Sequence, residues 1–131
     1  MQSTRFIFFA VALSVLAVTH MLATTFFLYW TYLWLDIPMH ALGGMVVALG
    51  FLTVFSAYAR GAFQKGVLVT LSVVLGVGVL WEVFELTSAI TGPEAGYVQD
   101  TIADFVMSLI GGFLGYLCAR AGTRIDSASS T

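Results

Sequence analysis

The sequence predicts an all-α fold: a polytopic membrane protein built as an antiparallel bundle of four transmembrane helices, both termini cytoplasmic. Three observations carry that expectation. Of 131 residues, 60% are hydrophobic and 9% charged, where a soluble domain carries about 25% charged residues. Mean hydropathy is +0.98, and the apolar residues gather into four runs, each close to the ~20 residues that a helix needs to cross the hydrocarbon core. All five Lys and Arg residues fall on one side of the bilayer that these runs imply, which the positive-inside rule makes the cytoplasmic side.

The first span is expected over residues 6–28, with apolar character continuing to Leu35. An Arg precedes it, as in a signal peptide, but the run is too long and no small-residue cleavage site follows, so it reads as a helix. The aromatic run "YWTYLW", Tyr29 to Trp34, suits the outer interface. The second span is expected over 39–59, with Pro38 in a first helical turn, where proline is tolerated, and with Asp36 or Ile37 as cap. The third covers 67–90 and the fourth 98–119, with Asp100 a further candidate cap. Helices, not barrel strands, are expected because backbone groups in lipid must pair within their own segment and strand-like alternation is absent. The loops "ARGAFQKG" and "TGPEAGY" are short, so successive helices run antiparallel. A single transmembrane domain covers 1–125, and a polar tail, 126–131, is expected to be disordered. The localisation that follows is the plasma membrane, crossed several times.

Charge placement supplies the functional argument. Arg5 precedes the first span, Arg60 and Lys65 lie in the middle loop, and Arg120 and Arg124 follow the fourth span. Six of the seven acids lie at the other side: Asp36, Glu82, Glu85, Glu94, Asp100 and Asp104, with only Asp126 beside the bases. Glu94 reads as a solvated loop residue. Carboxylates in hydrocarbon cost several kcal/mol when unpaired, and no Lys or Arg is near. Compensation is left to protonation, to His40 or His20, or to a metal cation that satisfies several carboxylates together.

Spacing brings these groups together. Asp36 and His40 are four apart, as are Asp100 and Asp104, and Glu82 and Glu85 are three apart, so each pair shares a helix face. The same faces continue as small residues: Gly44 and Ala48 after His40, Gly78 before Glu82, and Ser108, Gly111, Gly112 and Gly115 after Asp104. Small residues mark close approach of membrane helices, so the acids point into the bundle. Candidate metal ligands are His40, Glu82, Glu85 and Asp104, with Asp36 and Asp100 as second choices. His20 reads either as a group hydrogen-bonding across helices or as a further ligand from below.

A ligand set of Asp, Glu and His suits a divalent ion: Mg²⁺, Mn²⁺ or Ca²⁺, with Zn²⁺ or Fe²⁺ admitted by imidazole. One reading is a metal-dependent hydrolase or transferase acting on lipid or lipid-linked phosphate of the cell envelope, with Glu82 and Glu85 as catalytic carboxylates. A second is cation or proton transport, against which the inner half of each helix offers only Ser and Thr. A third is a structural or partner-binding protein whose buried polar network fixes helix packing. Membrane lipid is the expected partner in each, and a homo-oligomer is compatible with all three. Nucleic acid is not expected, because basic clusters interleaved with aromatics are absent. Cys118 stands alone among apolar neighbours and reads as an inert thiol.

The motifs "LDIPMHALGGMVVALG", "LWEVFEL" and "GYVQDTIADFVMSLIGGFLGY" resemble those of small VanZ-like and YjdF-like integral membrane proteins. Their pattern is Asp-x-x-x-His entering one helix, Trp-Glu-x-x-Glu in the next, and Asp-x-x-x-Asp followed by Gly pairs in the last. Asp36, His40, Glu82, Glu85, Asp100 and Asp104 stand at those positions, and the resemblance covers about residues 30–117. It implies a link to cell-envelope lipids, since the VanZ-like group is associated with glycopeptide resistance.

Overall fold

The computed structural model describes residues 4–58, 66–88 and 96–129. The described residues are helical almost throughout: α1 Thr4–Thr25, the short α2 Leu28–Thr31, a 3-10 turn Leu33–Leu35, α3 Asp36–Tyr58, α4 Val67–Thr87 and α5 Tyr97–Ala128. Four segments among them are long and apolar enough to cross a membrane: Thr4–Thr25, Leu33–Phe55, Val67–Thr87 and Tyr97–Ala128, with mean hydropathies of 2.3, 1.8, 2.3 and 1.7. The shortest has 21 residues, about 31 Å of helix, against a hydrocarbon core of about 30 Å.

The first helix ends earlier than its apolar run. Phe27 takes a left-handed conformation at φ 54°, which an aromatic residue rarely adopts. The last turn is already loosening there: Phe27 N–H donates to the Thr24 carbonyl, and the Thr24 hydroxyl donates to the His20 and Met21 carbonyls, a side-chain competition that favours helix ends. After the break, Phe26, Phe27, Trp30 and Trp34 are all exposed, consistent with an aromatic belt at a membrane interface.

Two cap expectations are corrected. Asp36 is itself helical, at φ −61° and ψ −43°, because the 3-10 turn runs straight into α3. An N-cap residue would be extended. Asp100 sits within the first turn of α5, and the residue at the cap position is Gly96, at φ 107°. Glycine reaches that backbone region without steric cost. At the other end, α5 continues through Ala128, past the expected 119 and through residues 126–128 of the expected tail. Residues 130–131, Glu94, Arg60, Lys65 and the expected span ends at Ala59 and Ile90 lie outside the described residues.

Close backbone packing joins α3 to α5. A Cβ at Gly44 would collide with the Ser108 carbonyl, one at Gly111 with the Ala41 carbonyl, and one at Gly115 would lie 2.7 Å from the Met45 carbonyl. From His40 with Asp104, through Gly44 with Ser108, to Met45 with Gly115, residue numbers rise together, so α3 and α5 are parallel neighbours. The antiparallel helix α4 lies against α5 through Gly112 with Val74 and Gly78 with Phe105. The buried face of α5 is Asp104, Ser108, Gly111, Gly112, Gly115, Ala119 and Gly122. An apolar core of Ala12, Val46, Leu49 and Ala119 closes α1 against α3 and α5, and half-buried Cys118 packs on it. Beyond that core, Asp126 accepts the backbone N–H and hydroxyl of Thr4, and Gly122 meets Arg5. Both described ends of the chain therefore share one end of the bundle with Arg5, Arg120 and Arg124. Asp104 sits sixteen residues before Arg120 on α5, about 24 Å at 1.5 Å per residue.

Candidate metal centre

At the far end of the bundle, the parallel pairing of α3 and α5 sets two helix starts side by side. Asp36 and His40 come from the first turns of α3, and Asp104 from the second turn of α5. His40 Nε2 lies 3.6 Å from Asp36 Oδ2 and 3.6 Å from Asp104 Oδ1. Both distances exceed a hydrogen bond, so the imidazole faces two carboxylates across a gap. The three ligand atoms lie within 4.8 Å of one another. The Asp104 side chain is 6% exposed, His40 13% and Asp36 41%, so the group opens toward the rim on the Asp36 side. Asp104 Oδ1 is buried without a hydrogen-bond partner, the costly state for a carboxylate oxygen.

These residues fit a divalent ion. Two bonds of about 2.1 Å to one ion place their outer ends no more than about 4.2 Å apart, and Ca²⁺ bonds of about 2.3–2.6 Å extend that to roughly 5 Å. The two 3.6 Å separations satisfy both limits, and the 4.8 Å bound on the whole group lies within the wider one. A ligand set of two carboxylates and one imidazole admits either class of ion.

Glu82 occupies the adjoining seam between α4 and α5 and does not belong to the three-residue group. It is buried, at 7% exposure, and turned inward. Its Oε2 accepts hydrogen bonds from the Tyr97 hydroxyl at 3.2 Å and the Thr101 hydroxyl at 3.1 Å. Its Oε1 has no hydrogen-bond partner. Sequence reasoning passed over Tyr97 and Thr101. The signal was present: positions 97, 101, 104, 108, 111 and 115 alternate steps of four and three, so the small-residue stripe of α5 extends back through both hydroxyls.

Glu85 is half-buried, one turn beyond Glu82, and within electrostatic reach of Asp36 and His40. Asp100 is exposed and outside the group. His20 does not join it either: its Nδ1 lies 2.9 Å from the Tyr29 hydroxyl. Burial, and then the carboxylates of Asp36 and Glu85, raise the Tyr29 pKa above its ordinary 10.0, because each disfavours a phenolate. Tyr29 is thus a third residue that sequence reasoning missed, carried to the edge of the acidic layer by the break at Phe27. Among the described residues, no Lys or Arg lies at this end.

Four bilayer-length apolar helices around a buried acid–imidazole group define a multi-pass integral membrane protein with a candidate metal site. The family model described as "Predicted membrane protein (DUF2238)" matches residues 3–124, and the chain belongs to that family. The match contains nothing specific to the VanZ-like group. No curated protein and no solved structure matches the chain.

Proposed function

We propose that this membrane protein binds a divalent metal ion through Asp36, His40 and Asp104, and uses it on the phosphate of a lipid or lipid-linked molecule at the outer face of the plasma membrane. The observation that carries the reading is the buried, unpartnered Asp104 Oδ1 facing His40 and Asp36 across a gap of ion size. Orientation follows the bases: Arg5, Arg120 and Arg124 at the opposite end assign that end to the cytoplasm and the acidic end to the outer leaflet. A metal bound there supplies charge stabilisation for a phosphoryl oxygen and lowers the pKa of a coordinated water. Half-buried Glu85, within electrostatic reach of Asp36 and His40, is the carboxylate that would serve as general base there. Asp36, the most exposed of the three, marks the side from which a headgroup enters. Asp100 lies on the rim and takes no part in the triad. The motif resemblance to VanZ-like proteins supports an envelope lipid as the substrate class.

The test uses full-length protein in mild detergent. Metal content is measured by elemental analysis, and phosphate release is followed from long-chain phosphatidic acid and polyprenyl phosphate. Wild type is expected to carry a divalent ion and to release phosphate only when the ion is present. His40→Ala and Asp104→Asn should lose the ion of the triad, which lowers the metal content, and should lose phosphate release. Metal content unchanged in both variants would end the triad assignment, and metal without turnover on either lipid class would end the enzymatic reading.

A further inference from the structure

We infer that the acidic end holds a second cation, bound at Glu82 Oε1, separate from the Asp36–His40–Asp104 triad. Charge and hydrogen bonding both lead there. One divalent ion at the triad offsets Asp36 and Asp104, and His40 serves it as neutral imidazole. Glu82 is then left as a buried carboxylate, 7% exposed, with no cationic side chain at this end among the described residues. Two hydroxyls already donate to its Oε2, so one oxygen of the carboxylate is hydrogen-bonded and the other is not. The buried Oε1, without a hydrogen-bond partner, faces the seam between α4 and α5.

The ligands available set the class of ion. Glu82 offers carboxylate oxygen, and Thr101 and Tyr97 offer hydroxyl oxygens beside it. No imidazole or thiolate among the described residues belongs to this group, so a hard, oxygen-preferring ion is expected: Mg²⁺, Mn²⁺ or Ca²⁺. Thr101 and Asp104 are three apart on α5 and share a helix face, so the two positions are adjacent on one wall of the bundle. Tyr97 and Thr101 act as positioning residues. By occupying Oε2 they leave Oε1 as the only free lone-pair oxygen of Glu82.

The charge count rests on the triad reading, so the experiment separates the two. Full-length protein in detergent is titrated with Mn²⁺ at equilibrium, and free Mn²⁺ is read from its electron paramagnetic resonance signal. Wild type is expected to bind two ions per chain. His40→Ala should bind one and Glu82→Gln should bind one, with helical circular dichroism unchanged in both. Should Glu82→Gln fail to fold, Thr101→Val decides: the second ion should weaken by about tenfold or more while the first is unchanged, and Thr101→Ser should restore it. A single ion in wild type that survives Glu82→Gln and is lost in His40→Ala overturns this inference and leaves the triad standing. A single ion lost in Glu82→Gln and kept in His40→Ala does the reverse. No ion in wild type overturns both.

Discussion

Gly111→Ala is the most direct probe of how the fold assembles its site. The added Cβ would collide with the Ala41 carbonyl oxygen. The obstacle is backbone, so no rotamer change relieves it, and α3 must move away from α5. Overpacking costs about 1–3 kcal/mol, and a backbone clash belongs at the upper end, about 3 kcal/mol. Alanine returns about 1 kcal/mol through helix propensity. The net loss is about 2 kcal/mol, or roughly 30-fold in the folding equilibrium at 1.4 kcal/mol per decade. Gly43→Ala is the control, because a Cβ there meets nothing within 4 Å and only the propensity gain remains. Reversible unfolding in mixed micelles with increasing SDS, followed by circular dichroism, measures both variants. A metal titration should also weaken in Gly111→Ala, since the shift parts Asp104 on α5 from Asp36 and His40 on α3. If Gly111→Ala matched Gly43→Ala in stability, the close parallel seam between α3 and α5 would be wrong.

Two further outcomes follow from the hydroxyls around the acidic layer. Tyr97→Phe and Thr101→Val each remove one hydrogen bond to Glu82, about 1 kcal/mol each. The double variant should lose more than the sum, since it strips a buried carboxylate of every described donor; additive losses in a double-mutant cycle would argue against a shared acceptor. The midpoint of Tyr29 ionisation, followed by ultraviolet absorbance, should lie above the ordinary 10.0 in wild type and move down toward it in Glu85→Gln and in Asp36→Asn. Its folded-state pKa is raised, so the associated stability is present below pH 10 and is lost as pH rises through the folded value. A Tyr29 midpoint unmoved by either substitution would place it away from these acids.

Much of this protein can be read from composition and spacing alone. Hydrophobic runs of bilayer length, segregated charges and the small-residue stripe of α5 are one-dimensional patterns. Lipid leaves the backbone little choice but helix, so such patterns translate directly into four spans and an inward acidic face. Asp104, Glu82 and His40 follow from the same logic, because a carboxylate flanked by glycines at helical spacing has only one favourable direction to point.

Which acids meet was decided by tertiary structure. Spacing within a helix treats Glu82, Glu85, His40 and Asp104 alike. Only the parallel packing of α3 on α5, set by Gly44, Gly111 and Gly115 against opposing carbonyls, selects Asp36 and His40 with Asp104 and leaves Glu82 in the next seam with Tyr97 and Thr101. The break at Phe27, which brings Tyr29 within electrostatic reach of Asp36 and Glu85, was equally out of reach, since no Gly or Pro announces it. The reason is physical: helix formation depends on neighbours a few positions away, whereas the meeting of side chains from two helices depends on how closely their backbones approach and in what register.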